Sequence, residues 1–177
     1  MPQAFPVVSV FLQRMCHILG STEAGLLLVL IVVLLLLNSF FSLIETALME
    51  SHRSRLERLA DEGSEDAAAA LAILEEPEDA LSVAQIGITL MGVLLGAASG
   101  ALLAPLMGAL LAPFLPHAAA ISLALSIVLM TYIMLLFGEF LPKKTAMQKP
   151  EEVLLNHHRA LHRLTRLSRL GEREAHL

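Results

Sequence analysis

The chain has 177 residues, of which 56 % are hydrophobic and 16 % are charged, whereas an ordinary soluble domain has roughly 45–50 % and about 25 %. Together with two long uncharged runs, this composition excludes a soluble globular protein and an intrinsically disordered one. A single cysteine excludes a disulfide scaffold within the chain, and the net charge of −5 does not support nucleic-acid binding. The length predicts one domain over residues 1–177.

The first uncharged run covers residues 24–44. These 21 residues include no Asp, Glu, Lys, Arg or His. A helix of that length measures about 31 Å, which matches the roughly 30 Å hydrocarbon core of a bilayer. We therefore predict the first transmembrane span at about residues 24–48, with residues 1–23 as an N-terminal surface segment in the membrane interface.

The second uncharged run covers residues 80–138, and its only side chain that can carry a charge near neutral pH is that of His117. These 59 residues are too many for one span. Because proline interrupts a helix, we expect the run to break around Pro105, Pro113 and Pro116. The pattern predicts a second span at about residues 81–103 and a third at about residues 118–140.

Between the first and second spans, residues 50–79 carry ten acidic side chains and three arginines. The Ala-rich centre and Gly63 predict a helical hairpin in water on the cytoplasmic side of the membrane. Two interpretations of this connector stay open. It is either a solvated link between spans or a surface for another cytosolic domain. Such a surface would dock that domain or sense divalent cations.

Basic residues predict the orientation. Eleven of the twelve Lys and Arg residues follow either the first or the third predicted span, and the positive-inside rule assigns both segments to the cytoplasm. The prediction is a multi-pass protein of the cell inner (plasma) membrane with its N-terminus outside and its C-terminus in the cytoplasm. In the tail, residues 143–177, leucines alternate with arginines, which predicts a basic amphipathic juxtamembrane helix on an anionic leaflet.

All three spans carry polar side chains near their predicted cytoplasmic ends, where the surrounding lipid makes such groups costly unless they serve a function. These residues are Asn38, Ser39, Ser42 and Glu45 in the first span, Ser82, Gln85 and Thr89 in the second, and Glu139 in the third. Oxygen-only ligands of this kind suit Mg²⁺, Ca²⁺ or Na⁺. The other interpretations are that the hydroxyls bond to their own helices and that Glu139 pairs with Lys143.

Pro142 adds a second sign of a cation site. Proline removes a backbone donor and disfavours helical geometry in the residue before it, so carbonyls in the preceding turn lose their helical partners. Free carbonyls at membrane depth are tolerated only where another group or a cation satisfies them.

Three motifs resemble a known family. They are NSFFSLIETAL at residues 38–48, LSVAQIGITL at residues 81–90, and GEFLPK at residues 138–143 followed by KPE at residues 149–151. In this order, and over roughly residues 25–152, they resemble the transmembrane domain of the CorC and cyclin M (CNNM) family. Its older names are the hemolysin-C-related group and the domain of unknown function 21 (DUF21).

The resemblance implies an all-α membrane protein with three transmembrane helices, a helical cytoplasmic connector and a juxtamembrane helix. It also implies a homodimeric Mg²⁺ transporter, expected to be an exporter with Na⁺ as its coupling ion. Matched to the motifs position by position, the metal site would consist of Ser39, Ser42, Ser82, Thr89 and Glu139. No cofactor other than the transported ion is implied. The sequence has no nucleophile paired with a base and no phosphate-binding glycine loop, so we do not expect an enzyme.

The sequence also departs from the family pattern. Where many of the family's transporters read GNTLVN in the second span, this chain reads GITLMG, so Ile88 and Gly92 stand in place of two asparagines. An organic-cation (polyamine) exporter and a non-transporting membrane anchor or regulatory module therefore remain alternatives to Mg²⁺ transport. Family members usually continue into paired nucleotide-binding CBS domains, which would be the cytosolic partners of a full-length form. They are absent from this sequence, so we expect either a truncated chain or a stand-alone membrane module.

Overall fold

We describe residues 22–160 and residue 163 from a computed structural model. Within these residues the fold is all-α, without a strand. Three helical stretches are long and apolar enough to cross a membrane: Thr22–Glu50, Pro77–Leu111 and Ala118–Gln148. The predicted fold class is therefore confirmed. The predicted N-terminal surface segment lies outside the described residues except for its last two residues.

Helix α1 (Thr22–Glu50) contains the first uncharged run. Such a segment forms a helix because every backbone N–H and C=O in hydrocarbon needs a partner within the chain. Its N-terminal half is mostly exposed in a single chain, with Leu26 and Leu36 exposed by 66 % and 64 %. From Asn38 onward the burial increases, and Ile44 and Ala47 are almost completely enclosed.

Two short helices, α2 (Arg53–Asp61) and α3 (Glu65–Glu75), form the connector. Gly63 lies between them at φ +94°, a left-handed conformation that glycine adopts without a Cβ penalty. Ser64 then caps α3, because its side chain accepts a hydrogen bond of 3.2 Å from the backbone N–H of Ala67. Arg53 joins the two helices, since it pairs with Glu57 on α2 and with Glu75 on α3. Hydrogen bonding to Glu57 raises the pKa of the Arg53 guanidinium.

Helix α4 (Pro77–Leu111) extends well beyond the predicted second span. The expectation that Pro105 breaks this helix is wrong, because Pro105 lies inside it. A proline within a helix removes one backbone hydrogen bond, whereas ending the helix in an apolar environment would leave several carbonyls without donors. The chain turns only at residues 112–117, between α4 and α5 (Ala118–Ile133).

After α5 the third apolar stretch changes its winding. Residues Met134–Phe140 form a π-helix, which no sequence pattern predicted, and α6 (Leu141–Gln148) follows without a break. A further helix, α7, covers residues 150–160 and begins at Pro150, a residue suited to the first helical turn. Most of the predicted basic juxtamembrane tail follows residue 160 and so lies outside the described residues.

The chain divides into two compact units, and both receive parts of the long helices. In the first unit, residues 1–36 and 91–135, small residues allow close packing of helices α4 and α5. A Cβ added at Gly100 would lie 3.6 Å from Leu123, and one added at Gly108 would lie 3.3 Å from the Ser122 hydroxyl. The core of the second unit, residues 37–90 and 136–177, is a cluster of ten residues. They are Ile44, Ala47, Leu48, Leu56, Ala67, Ala70, Ala80, Ala146, Val153 and Leu154.

Candidate functional site

A buried polar face on α1 is the first component of the site. Asn38 and Ser42 are both fully buried, and their spacing of four residues places them on one side of the helix. Among the described residues, Asn38 Oδ1 and Ser42 Oγ have no hydrogen-bond partner. A buried polar atom without a partner is costly, so two such atoms on one helix face make this face a candidate ligand surface.

The second component is the π-helix, and its cause lies in the sequence. In an α-helix the carbonyl of Gly138 would accept from the N–H of residue 142, and in a π-helix the carbonyl of Phe137 would do so. Residue 142 is proline, which has no N–H. Pro142 thus removes the helical donor on which these two carbonyls would depend.

Side chains of α1 supply donors to the same carbonyls. Asn38 Nδ2 donates a hydrogen bond of 3.0 Å to the Gly138 carbonyl, and Ser39 Oγ donates one of 2.9 Å to the Phe137 carbonyl. The wide π-turn is thereby attached to the polar face of α1. With its amide nitrogen used for this contact, Asn38 keeps its oxygen Oδ1 available as a ligand.

Glu139 lies within the π-helix, next to the carbonyl that Asn38 binds. It is half-buried, and among the described residues its carboxylate has neither an ion pair nor a hydrogen bond. The alternative that Glu139 pairs with Lys143 is not what the structure has. Lys143 Nζ lies 3.4 Å from Glu45 Oε2 instead.

The predicted ligands of the second span lie differently. Ser82 and Thr89 are both exposed in a single chain, as is Gln85. Thr89 Oγ1 donates a hydrogen bond of 2.9 Å to the Gln85 carbonyl of its own helix, as the simpler interpretation of these hydroxyls expected. Of the five predicted site residues, the structure places Ser39, Ser42 and Glu139 on α1 and the π-helix, and it leaves Ser82 and Thr89 on an exposed surface of α4.

Close packing brings α4 to α1 within the same unit. A Cβ on Gly87 would lie 2.6 Å from the Phe41 ring, so only glycine allows this approach. At the two positions without the family's asparagines, Ile88 is half-buried, and a Cβ on Gly92 would lie 3.3 Å from Met134 Cε. These positions therefore add no polar group to the site.

Asn38 is the residue that the predicted ligand set missed. It was grouped with the polar face of α1 but not among the five ligands, although it is more deeply buried than most of them. The sequence does contain a sign of its importance. Asn38 is an amide in an apolar span, four residues before Ser42, and such a polar group is costly in lipid unless it has a function. The contact with Gly138 joins residues 100 positions apart, and no local pattern reveals it.

A second polar cluster joins the connector to α7. The Glu151 side chain is only 6 % exposed and lies 3.6 Å from His52 Nδ1 and 3.5 Å from Arg55 Nη1. His158 Nε2 lies 3.4 Å from Asp66 Oδ1 on α3. These contacts hold the connector against α7, since the exposed partners can form ion pairs without full desolvation.

The available ligand chemistry is that of neutral oxygen with one carboxylate. In the described part of the chain, no three His, Cys, Asp or Glu side chains are grouped so that they could hold a metal ion. A cation at α1 and the π-helix would be held by an amide oxygen, a hydroxyl and a carboxylate. That set suits a hard cation and excludes the soft-ligand sites typical of zinc and copper.

Comparisons with known proteins agree with the fold and the motifs. The sequence matches the family of the cyclin M (CNNM) transmembrane N-terminal domain over residues 29–170. The UPF0053 protein sll0260 of Synechocystis is 38 % identical over 84 % of this chain and 34 % of its own length. For the UPF0053 protein YhdT of Bacillus subtilis the identity is 35 %, over 72 % of this chain and 28 % of the relative.

A further relative carries a location in its name. The UPF0053 inner membrane protein YfjD of Escherichia coli is 28 % identical over 66 % of this chain and 25 % of its own length. The chain thus spans about a third or less of these curated relatives. The family match covers residues 29–170, one relative is 38 % identical, and three helices are long and apolar enough to span a membrane. This membrane protein therefore belongs to the CNNM transmembrane-domain family, and the UPF0053 proteins are its relatives.

Proposed function

We propose that the chain moves a divalent cation, Mg²⁺ first, across the membrane. The observation that carries this proposal is a pair of buried oxygens, Asn38 Oδ1 and Ser42 Oγ, that have no partner in the described part of the chain. A dehydrated hard cation accepts such oxygens as ligands. Its binding would offset the cost of burying them.

Glu139 supplies the charge in this proposal. A half-buried carboxylate without an ion pair among the described residues is free to neutralise part of a divalent cation. In the π-helix it directly follows Gly138, whose carbonyl accepts a hydrogen bond from Asn38. Bends and wide turns that open a helix at membrane depth are typical of ion sites in transporters.

The proposal extends to the whole assembly. We place the N-terminus outside and the connector and C-terminus in the cytoplasm, and we take efflux coupled to Na⁺ entry as the direction. The chain acts as a homodimer, with cytosolic CBS-type domains in a full-length form, and it carries no catalytic residue of an enzyme. Ser82 and Thr89 are exposed in a single chain. In this proposal their hydroxyls bind the ion only after the second span has moved towards it or has packed against the partner subunit.

Flux into liposomes tests the proposal. The purified chain is reconstituted with a Mg²⁺-sensitive dye inside the vesicles, and wild type is compared with Ser42→Ala and Glu139→Gln. Both variants are expected to lose flux, because each removes one ligand. Ser126→Ala is the matched control for Ser42→Ala, since Ser126 is equally buried but its hydroxyl already donates to the Ser122 carbonyl.

The outcomes separate the alternatives. Flux of Mg²⁺ that survives both substitutions contradicts the assigned site. Flux of putrescine without Mg²⁺ flux, lost in Glu139→Gln, favours the organic-cation exporter, since an ammonium group also suits a carboxylate and hydroxyls. No flux of Mg²⁺, Na⁺ or putrescine in wild type favours a membrane anchor or regulatory module.

A further inference from the structure

The contact between Glu45 and Lys143 is not explained by the ligand set described above. Lys143 Nζ lies 3.4 Å from Glu45 Oε2. The carboxylate side chain is only 16 % exposed, whereas that of Lys143 is 43 % exposed. A long, accessible lysine thus reaches a carboxylate that is mostly enclosed, and it can leave again without being buried itself.

The position of Glu45 relates this pair to the site. Asn38, Ser42 and Glu45 lie at intervals of four and three residues, so they share one face of α1. Three residues of helix correspond to about 4.5 Å along the axis. Lys143 thus binds a carboxylate that follows Ser42 by less than one helical turn on the same face of α1, and the Ser42 hydroxyl has no partner among the described residues.

The same pair is also linked to the π-helix. Lys143 is the third residue of α6, which continues directly from the π-helix. Asn38 and Ser39 already hold that π-helix through Gly138 and Phe137. Glu45 consequently lies on α1, which presents two of the proposed cation ligands, and Lys143 follows the end of the π-helix at Phe140 by three residues.

From this arrangement we infer that Lys143 is a tethered cation that competes with the transported ion for the polar face of α1, and that it closes this face when no ion is bound. This inference rests on the proposed function. A divalent cation held by Ser42 Oγ would repel the ammonium at short range, where salt screens weakly. Release of Lys143 would then leave the Glu45 carboxylate free to face the ion. Lys143 acts here as a positioning residue, and not as a ligand.

Thermal unfolding of the 177-residue chain in detergent, followed by circular dichroism over a Mg²⁺ titration, measures the competition. Without its competing charge, Lys143→Gln is expected to reach half-maximal Mg²⁺ protection at a concentration about two- to fivefold lower than wild type, the range set by a partly exposed ion pair. Lys143→Arg keeps the charge and should behave like wild type. Lys144→Gln, an exposed neighbour with the same change of charge, is the matched control.

Amine acylation gives a second readout on the unaltered chain. Mg²⁺ is expected to raise the rate at which a small acylating reagent modifies Lys143, measured by mass spectrometry, while the rate at Lys144 stays constant. This measurement does not depend on whether Lys143→Gln folds.

Three results would overturn the inference. If wild type is protected by Mg²⁺ but Lys143→Gln needs the same or a higher concentration, the pair is only a structural contact and the proposed function stands. An acylation rate at Lys143 that does not change with Mg²⁺ has the same meaning. If neither wild type nor Lys143→Gln is protected by Mg²⁺, the proposed function fails and the inference fails with it.

Discussion

Replacing Asn38 by alanine tests the link between α1 and the π-helix. The substitution removes the hydrogen bond of 3.0 Å to the Gly138 carbonyl, at a residue with no exposed surface. Side-chain hydrogen bonds in membrane proteins contribute about 0.6 kcal/mol on average and up to about 1.7 kcal/mol. A buried carbonyl left without a donor costs about 1–3 kcal/mol. Asn38→Ala is therefore expected to lower the free energy of unfolding by about 1–2 kcal/mol.

The same reasoning predicts a coupling with Pro142. In Pro142→Ala, the new N–H of residue 142 can donate to the Gly138 carbonyl, which Asn38 otherwise satisfies, once the turn rewinds from π to α geometry. Asn38→Ala should then cost about 1 kcal/mol less in the Pro142→Ala background than in wild type. A double-mutant cycle isolates this difference.

The assay is unfolding by titration with sodium dodecyl sulfate, followed by far-ultraviolet circular dichroism. This signal suits an all-helical chain that has no tryptophan and one tyrosine. Independent sites usually have additive effects to within about 0.3 kcal/mol. If the loss of unfolding free energy in the double variant equals the sum of the two single losses to that precision, Asn38 does not replace a donor removed by Pro142.

Three further predictions use the same unfolding assay. Gly87→Ala should destabilise the chain by about 1–3 kcal/mol, because the new Cβ would lie 2.6 Å from the Phe41 ring; a Phe41→Leu change in the same chain should restore part of the loss, and no loss would contradict the close approach. Gly92→Asn should fold with little loss of stability, since only the flexible end of Met134 lies 3.3 Å away; a loss as large as that of Gly87→Ala would contradict this packing. Glu151→Ala should destabilise by about 1–2 kcal/mol, because it removes an enclosed carboxylate from two exposed basic partners; a change below about 0.5 kcal/mol would mean that this cluster does not hold α7.

The fold class could be predicted because lipid imposes a simple rule. Charge-free runs of sufficient length must form helices, and the sequence shows these runs directly. The exact end of the second helix could not be read in this way. Pro105 looked like a break, but the helix continues through it, because one lost backbone bond is a smaller cost than a helix end in an apolar environment.

The site was predictable only in part, for a related reason. The spacing of Asn38 and Ser42 is local, so their common face could be seen in the sequence. The effect of Pro142 on the preceding turn was also a local inference: the carbonyls that lose their helical donor belong to the π-helix at Met134–Phe140, although the π winding itself was not predicted. The carbonyls that accept from Asn38 and Ser39 lie about 100 residues away in the sequence. No short sequence pattern predicts that Asn38 contacts Gly138, or that Lys143 pairs with Glu45 and not with Glu139.

In the proposed site, α1 and the π-helix hold a divalent cation at Glu139. A crystal structure of the 177-residue chain with Mn²⁺ in place of Mg²⁺ tests this most directly, because the anomalous signal locates the ion. The expected result is one peak beside Glu139, with Asn38 Oδ1 and Ser42 Oγ as neighbours and oxygen distances of about 2.1 Å, which disappears in Glu139→Gln. A peak elsewhere in the chain, or none at saturating Mn²⁺, would contradict the claim.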